Sequence, residues 1–267
     1  MEPVLINAVS AFRRNKKEKV EFMSYAVRIK FKRTGPVRYL GHLDMLRYFQ
    51  KAVMRSGIDV KYSEGFNPHQ IMSFAYPLGV SMETIGDYMD LELNSEPDAR
   101  MIMNRMNDVM KEGICVVGVS VLPGTAINAM ASVAAASYRI KLRGNMPSSV
   151  ELDHFMQQEH IVIEKAAKAC GKKGKHKDKQ EEKPVEELDI KIGIMALSIN
   201  ENGELVTTLS SGSKMNLKPA TLVEVMNRYL NLSLVIEKII RTEIYRKLDD
   251  DTIVPLGEFD DQTKKES

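Results

Sequence analysis

Cysteine is scarce in these 267 residues: Cys115 and Cys170 are the only two. Two thiols cannot build a disulfide framework, a four-thiolate zinc site or an iron–sulfur cluster, so any metal would need His or carboxylate ligands. A long apolar run is lacking too. No stretch approaches the roughly 18 uninterrupted apolar residues of a membrane span, and the N-terminus lacks the charged, apolar, small-residue order of a secretory signal. A soluble, cytoplasmic protein without membrane contact is the expectation. With 43% hydrophobic and 28% charged residues the chain can form a packed core, which excludes wholesale disorder.

The net charge of +2 is unevenly spread. Residues 1–33 carry nine Lys/Arg against three acids, 165–183 carry eight Lys against three acids, and 249–267 carry seven acids against two Lys. Fields act locally, so such blocks suit a polyanion partner. A solvated linker and a solubilising tail account for the same counts, and charge alone favours them.

Periodicity organises the rest. Val27, Ile29 and Phe31 alternate with Arg28, Lys30 and Lys32, the pattern of a strand buried on one face. Over residues 42–56, Leu43, Leu46, Phe49 and Val53 form a helical stripe, with Asp44 in the first turn and Gly57 after the end. Strands follow at 58–62, 71–75 and 89–93. Ser95 with Asp98 and Pro97 announces a helix that Met103, Met106 and Met110 bury, and 114–122 is a further strand. Tyr138-Arg-Ile-Lys-Leu-Arg143 then repeats the first alternation, and Ser148 with Glu151 starts a short helix. Asn202-Gly203 signals a hairpin, and Leu222, Val225, Met226 and Tyr229 a last helix before a strand at 234–245. The fold expected is α+β: two tandem ferredoxin-like, split β-α-β half-domains with antiparallel sheets. They span 24–124 and 134–247, after a basic extension at 1–23. A lysine-rich insertion at 166–187 interrupts the second, and an acidic tail at 248–267 closes the chain. The 17 methionines are read as gap-filling core.

Three groups of residues can carry chemistry. Arg38, Tyr39, His42 and Asp44 stand where a strand gives way to a helix. Arg38 could meet a phosphate, Tyr39 a base, and His42 could add a proton-dependent hydrogen bond. Capping of the helix explains the same residues without a ligand. The loop holding Gly65, Phe66, Asn67, Pro68 and His69 would present a stacking face and polar edges if it lay over that helix start. His42, Tyr39 and His69 are the candidates for catalysis, but no nucleophile is paired with either histidine. His42 and His69 with Asp44 and Glu64 could form a mixed metal site, but H-x-x-x-H and H-E-x-x-H spacings are absent, so neither metal nor small-molecule cofactor is expected. Third, Arg28, Lys30 and Lys32, and again Arg139, Lys141 and Arg143, would cross an open sheet surface as a phosphate-tracking face. Asp90 and Glu92 on a neighbouring strand can cancel Arg28 and Lys30; no such acid pair is evident for the second trio. Lys214, Lys218 and Arg241 would extend that surface.

Gly35-Pro-Val-Arg-Tyr-Leu-Gly-His-Leu-Asp44, Tyr62-Ser-Glu-Gly-Phe-Asn-Pro-His69 and Ser73-Phe-Ala-Tyr-Pro-Leu78 resemble the signature of the radical-SAM-linked family, also described as a domain of unknown function. The resemblance extends over about residues 25–245. It implies a protein found alone or fused to cobalamin-dependent radical SAM proteins, often encoded near ribonuclease G and ribosomal proteins. This chain lacks the closely spaced cysteines of a radical SAM cluster, so it would not supply that chemistry itself. The expectation is a non-catalytic RNA-binding or RNA-processing accessory that works with a radical SAM enzyme. An RNA endonuclease centred on His42 and Tyr39, and a protein-only adaptor for the radical SAM partner, are the alternatives.

Overall fold

The structure, a computed structural model, describes residues 25–124, 128–166, 185–212 and 215–258. The basic extension, Cys170, Lys214 and most of the lysine insertion lie outside the described residues.

In the first half, β1 (Tyr25–Arg33) leads through a 3-10 turn (Gly35–Tyr39) into α1 (His42–Ser56), then β2 (Met72–Phe74), β3 (Glu83–Leu93), α2 (Ala99–Val109) and β4 (Ile114–Val121). Helix α1 begins and ends where the apolar stripe does, closed by Gly57 at φ 66°, a left-handed conformation that costs a residue without Cβ little. Helix α2 is capped by Asp98, whose side chain accepts from Met101 N, rather than by Ser95. The expected strand over 58–62 is reduced to isolated bridges at Val60 and Tyr62.

A four-residue helix, α3 (Ala129–Ser132), links to the second half: β5 (Val133–Arg143), α4 (Ser149–Met156), β6 (Val162–Ala166), β7 (Val185–Asp189), β8 (Ile194–Ile199), β9 (Leu205–Ser210), α5 (Pro219–Tyr229) and β10 (Val235–Lys247). Ser148 and Glu151 form the reciprocal capping box at α4. Ser148→Ala should therefore cost about 1 kcal/mol, read as a lower urea midpoint with an unchanged slope; an unmoved midpoint would refute the cap.

Nine strands make one mixed, mostly antiparallel sheet, ordered β4-β1-β3-β10-β5-β9-β8, with β2 also on β3 and β11 (Ile253–Pro255) on β10. The halves meet where β3 and β10 run parallel, Glu83 opposite Ile240 and Thr84 opposite Arg241. Strands β6 and β7 form a separate ladder flanking the lysine insertion.

Each half buries its apolar strand face under its own helices. Val27, Ile29 and Phe31 pack with Phe49, Val53, Ile102 and Met106. Ala136, Tyr138 and Ile140 pack with Phe155, Leu222 and Met226. Methionines 45, 89, 106 and 226 fill these cores as expected, but Met54 and Met130 are exposed.

The opposite face of the first half is not open. Ala129 and Leu256 are fully buried against Tyr88 and Ile244, and Ser120 Oγ donates to Gly257 O at 3.0 Å. The start of the expected acidic tail thus folds back as β11 and covers the sheet. No helix among the described residues is long and apolar enough to cross a membrane.

Candidate nucleic-acid interface

Charge at the seam between the halves is largely neutralised inside the protein. Arg28, 1% exposed, forks onto Asp90 at 2.7 and 2.9 Å and donates to Leu256 O. Lys30 pairs with Glu243 at 2.6 Å, not with Glu92. Glu83 receives the Gly35 N–H, Arg38 and Lys238. Burial pushes its carboxyl pKa up, but these hydrogen bonds more than offset it and hold the group below its ordinary value. Burial also raises the Tyr138 phenol to about 12.

Arg241 corrects the sequence reading. It does not extend a basic surface; it is 1% exposed and forks onto Asp87 at 2.6 and 2.8 Å, with Tyr76 O at 2.7 Å. Strand β10 has three register shifts against β5, so its alternation cannot be carried from one end to the other.

The β5 cations also find acids. Arg139 Nε lies 3.1 Å from Glu204 and Lys141 Nζ 3.3 Å from Glu237. Glu204 stands beside β9 and Glu237 sits in a β10 bulge, so neither was visible before the strand register was known. These partly exposed pairs add little stability, but they offset the charge of two of the three β5 cations. Among the described residues no ion pair involves Arg143.

The two signature loops are held apart. Val60 bridges Leu93, and Tyr62 bridges Gln70, at the C-terminal end of β3. The loop is closed by Ser63 and His69, with Phe66 fully exposed at its tip. Arg38 is anchored on Glu83 at the other end of β3, about 33 Å away along the strand. Phe66, Asn67 and His69 therefore do not join Arg38, Tyr39 and His42. Among the described residues no three His, Cys, Asp or Glu side chains gather as they would around a metal.

What does converge is the entrance to α1. The 3-10 turn sets the Arg38 guanidinium 4.9 Å from the Tyr39 ring centre and 3.0 Å from its hydroxyl. Tyr39 is 60% exposed, and Leu43 and Val80 are similarly bare. Ser81 N donates to Arg38 O at 3.0 Å, tying the 38–42 and 76–82 loops together. The exposed His42 packs edge-on against Phe74 at 5.5 Å. Beneath lies a pocket lined by Phe31, Arg33, His42, Phe74, Tyr76 and Asp87 among others, about 290 Å³ counting the solvent at its mouth.

Arg33, 2% exposed, forms the pocket's cationic wall. Its Nη atoms donate to Leu40, Gly79 and Met82 carbonyls, while Nε is buried without a partner. Burial lowers its pKa from the ordinary value, and Asp87 acts in the other direction. Sequence reasoning missed both Arg33 and Asp87. A signal existed: Arg33 shares the parity of Val27, Ile29 and Phe31, and Asp87 that of Met89 and Leu91, so each is a charge in an apolar register.

A family model described as an uncharacterized protein conserved in bacteria (DUF2344) matches residues 26–219. No curated protein matches the chain.

Proposed function

The chain belongs to that uncharacterized bacterial family, and from this premise we propose a non-catalytic accessory protein that holds single-stranded RNA at the entrance to α1. The observation that carries this reading is the exposed Tyr39 ring with the Arg38 guanidinium beside it. A bare aromatic face stacks any base, and the adjacent guanidinium, which shares Glu83 with Lys238 and stays partly exposed, meets the phosphate that follows. Exposed Leu43 and Val80 widen the apolar platform. Arg143 remains a second point of phosphate contact, and Arg139 and Lys141, each shared with an acid, contribute less. The resemblance adds a radical SAM enzyme as the working partner, acting on RNA or a ribosome-related target.

The finer architectural reading, two tandem ferredoxin-like halves, belongs to the same proposal. It is supported by equivalent strand orders, β4-β1-β3-β2 and β10-β5-β9-β8.

Fluorescence anisotropy with labelled single-stranded RNA at several salt concentrations tests the reading. Affinity should fall steeply with salt, and Tyr39→Ala should lose about 1–3 kcal/mol of binding, roughly ten- to a hundredfold. Replacing Arg139, Lys141 and Arg143 together by Ser should cost less than Tyr39→Ala. If the triple variant loses binding while Tyr39→Ala retains it, the interface lies along β5 and this placement is wrong.

A further inference from the structure

We propose that the pocket beneath His42 takes one oxygen of a phosphate group seated at its mouth, with Arg33 as the buried counter-charge. For the source of that phosphate, the end of an RNA strand whose terminal base lies on Tyr39, the proposal rests on the RNA reading; inorganic phosphate offers the same chemistry.

The charge balance of the wall is the first argument. Arg33 and Arg241 are 2% and 1% exposed, and Asp87, the carboxylate lining the pocket, is 5% exposed. Asp87 is already taken by the Arg241 fork and the Thr84 hydroxyl. Arg33 is left with three carbonyl dipoles and no carboxylate within bonding distance among the described residues. A buried cation in that position is costly unless a negative group comes to it.

The helix start is the second. Helix α1 opens at the same wall, where His42 and Met45 line the pocket, and its N-cap, Gly41, supplies no side-chain hydrogen bond. Free first-turn N–H groups and the helix dipole both favour an oxyanion there. Asp44 opposes this from the first turn, but it is exposed and shared with Arg47 at 3.9 Å.

Size selects the group. The pocket is narrow: the centre of a water molecule can move over only about 20 Å³ of it, room for one water-sized oxygen and not for a base. A phosphate oxygen would enter while the nucleoside stayed outside. Nε of Arg33 is sealed in the wall, so full engagement includes a small rotation of that guanidinium.

The test measures thermal unfolding of the full chain with inorganic phosphate against chloride at equal ionic strength. Anisotropy with one RNA sequence carrying a phosphate or a hydroxyl at each end in turn completes it. The proposal expects phosphate to raise the melting temperature and one phosphorylated end to bind about tenfold or more tightly. Arg33→Gln should abolish both effects. Because a buried Arg33 variant can fail to fold, His42→Glu, an exposed change that sets a carboxylate at the mouth, should abolish them as well. Equal binding of phosphorylated and hydroxyl ends, with no response to inorganic phosphate, would overturn the pocket and leave the Tyr39 interface standing. Phosphate binding that His42→Glu removes, in a protein without RNA affinity, would uphold the pocket and end the RNA reading instead.

Discussion

Asp87→Asn should destabilise the protein by about 3–5 kcal/mol, the cost of leaving a buried charge without its partner. The carboxylate accepts two hydrogen bonds from Arg241 and one from Thr84, and its charge also acts on Arg33. Asparagine keeps the shape but removes the charge, so two guanidiniums would share a buried wall with nothing to balance them. For a chain of this size that corresponds to a fall in melting temperature of very roughly 6–20 °C. Chemical denaturation with Asp44→Asn as an exposed control measures it. A loss below about 1 kcal/mol would mean that water or a bound ion already balances the seam.

Gly86→Ala should pull the two halves apart. A Cβ at Gly86 would stand 2.2 Å from Thr242 O and 3.0 Å from Glu243 Cα, both backbone atoms of β10 that cannot rotate away. The parallel contact between β3 and β10 is short, so a forced separation there is not absorbed by a long ladder. It would also disturb the Lys30 and Tyr88 bonds to Glu243 and the small core of Tyr88, Ile244 and Leu256. Overpacking typically costs about 1–3 kcal/mol and sometimes more; here the upper end is expected. Limited proteolysis should cut the variant faster than the wild type, and unfolding should split into two transitions. One transition at the wild-type midpoint would contradict this account of the seam.

Much of the fold was legible in local pattern. The bounds of α1, the capping box at Ser148, the turn at Asn202-Gly203 and the strand alternation over Tyr138–Arg143 are all short-range signals. The site was less legible because its charges are settled by partners far along the chain. Arg28 meets Asp90 and Leu256 O, Lys30 meets Glu243, and Arg139 meets Glu204. None of these pairings follows from alternation; each needs the register between strands, and β10 shifts register three times. The burial of Leu256 against Tyr88 and Ile244 was hidden behind a composition that reads as a solvated acidic end. Arg33 and Asp87 were hidden differently: their parity is local, and only the expectation that charges lie outside concealed them.

The proposed RNA interface can be tested by cross-linking a photoreactive single-stranded RNA to the full chain and mapping the modified peptide by mass spectrometry. The account predicts adducts on the segment holding Tyr39 and His42, lost in Tyr39→Ala. Adducts confined to β5 around Arg143, or no adduct at a concentration where RNA is bound, would contradict it.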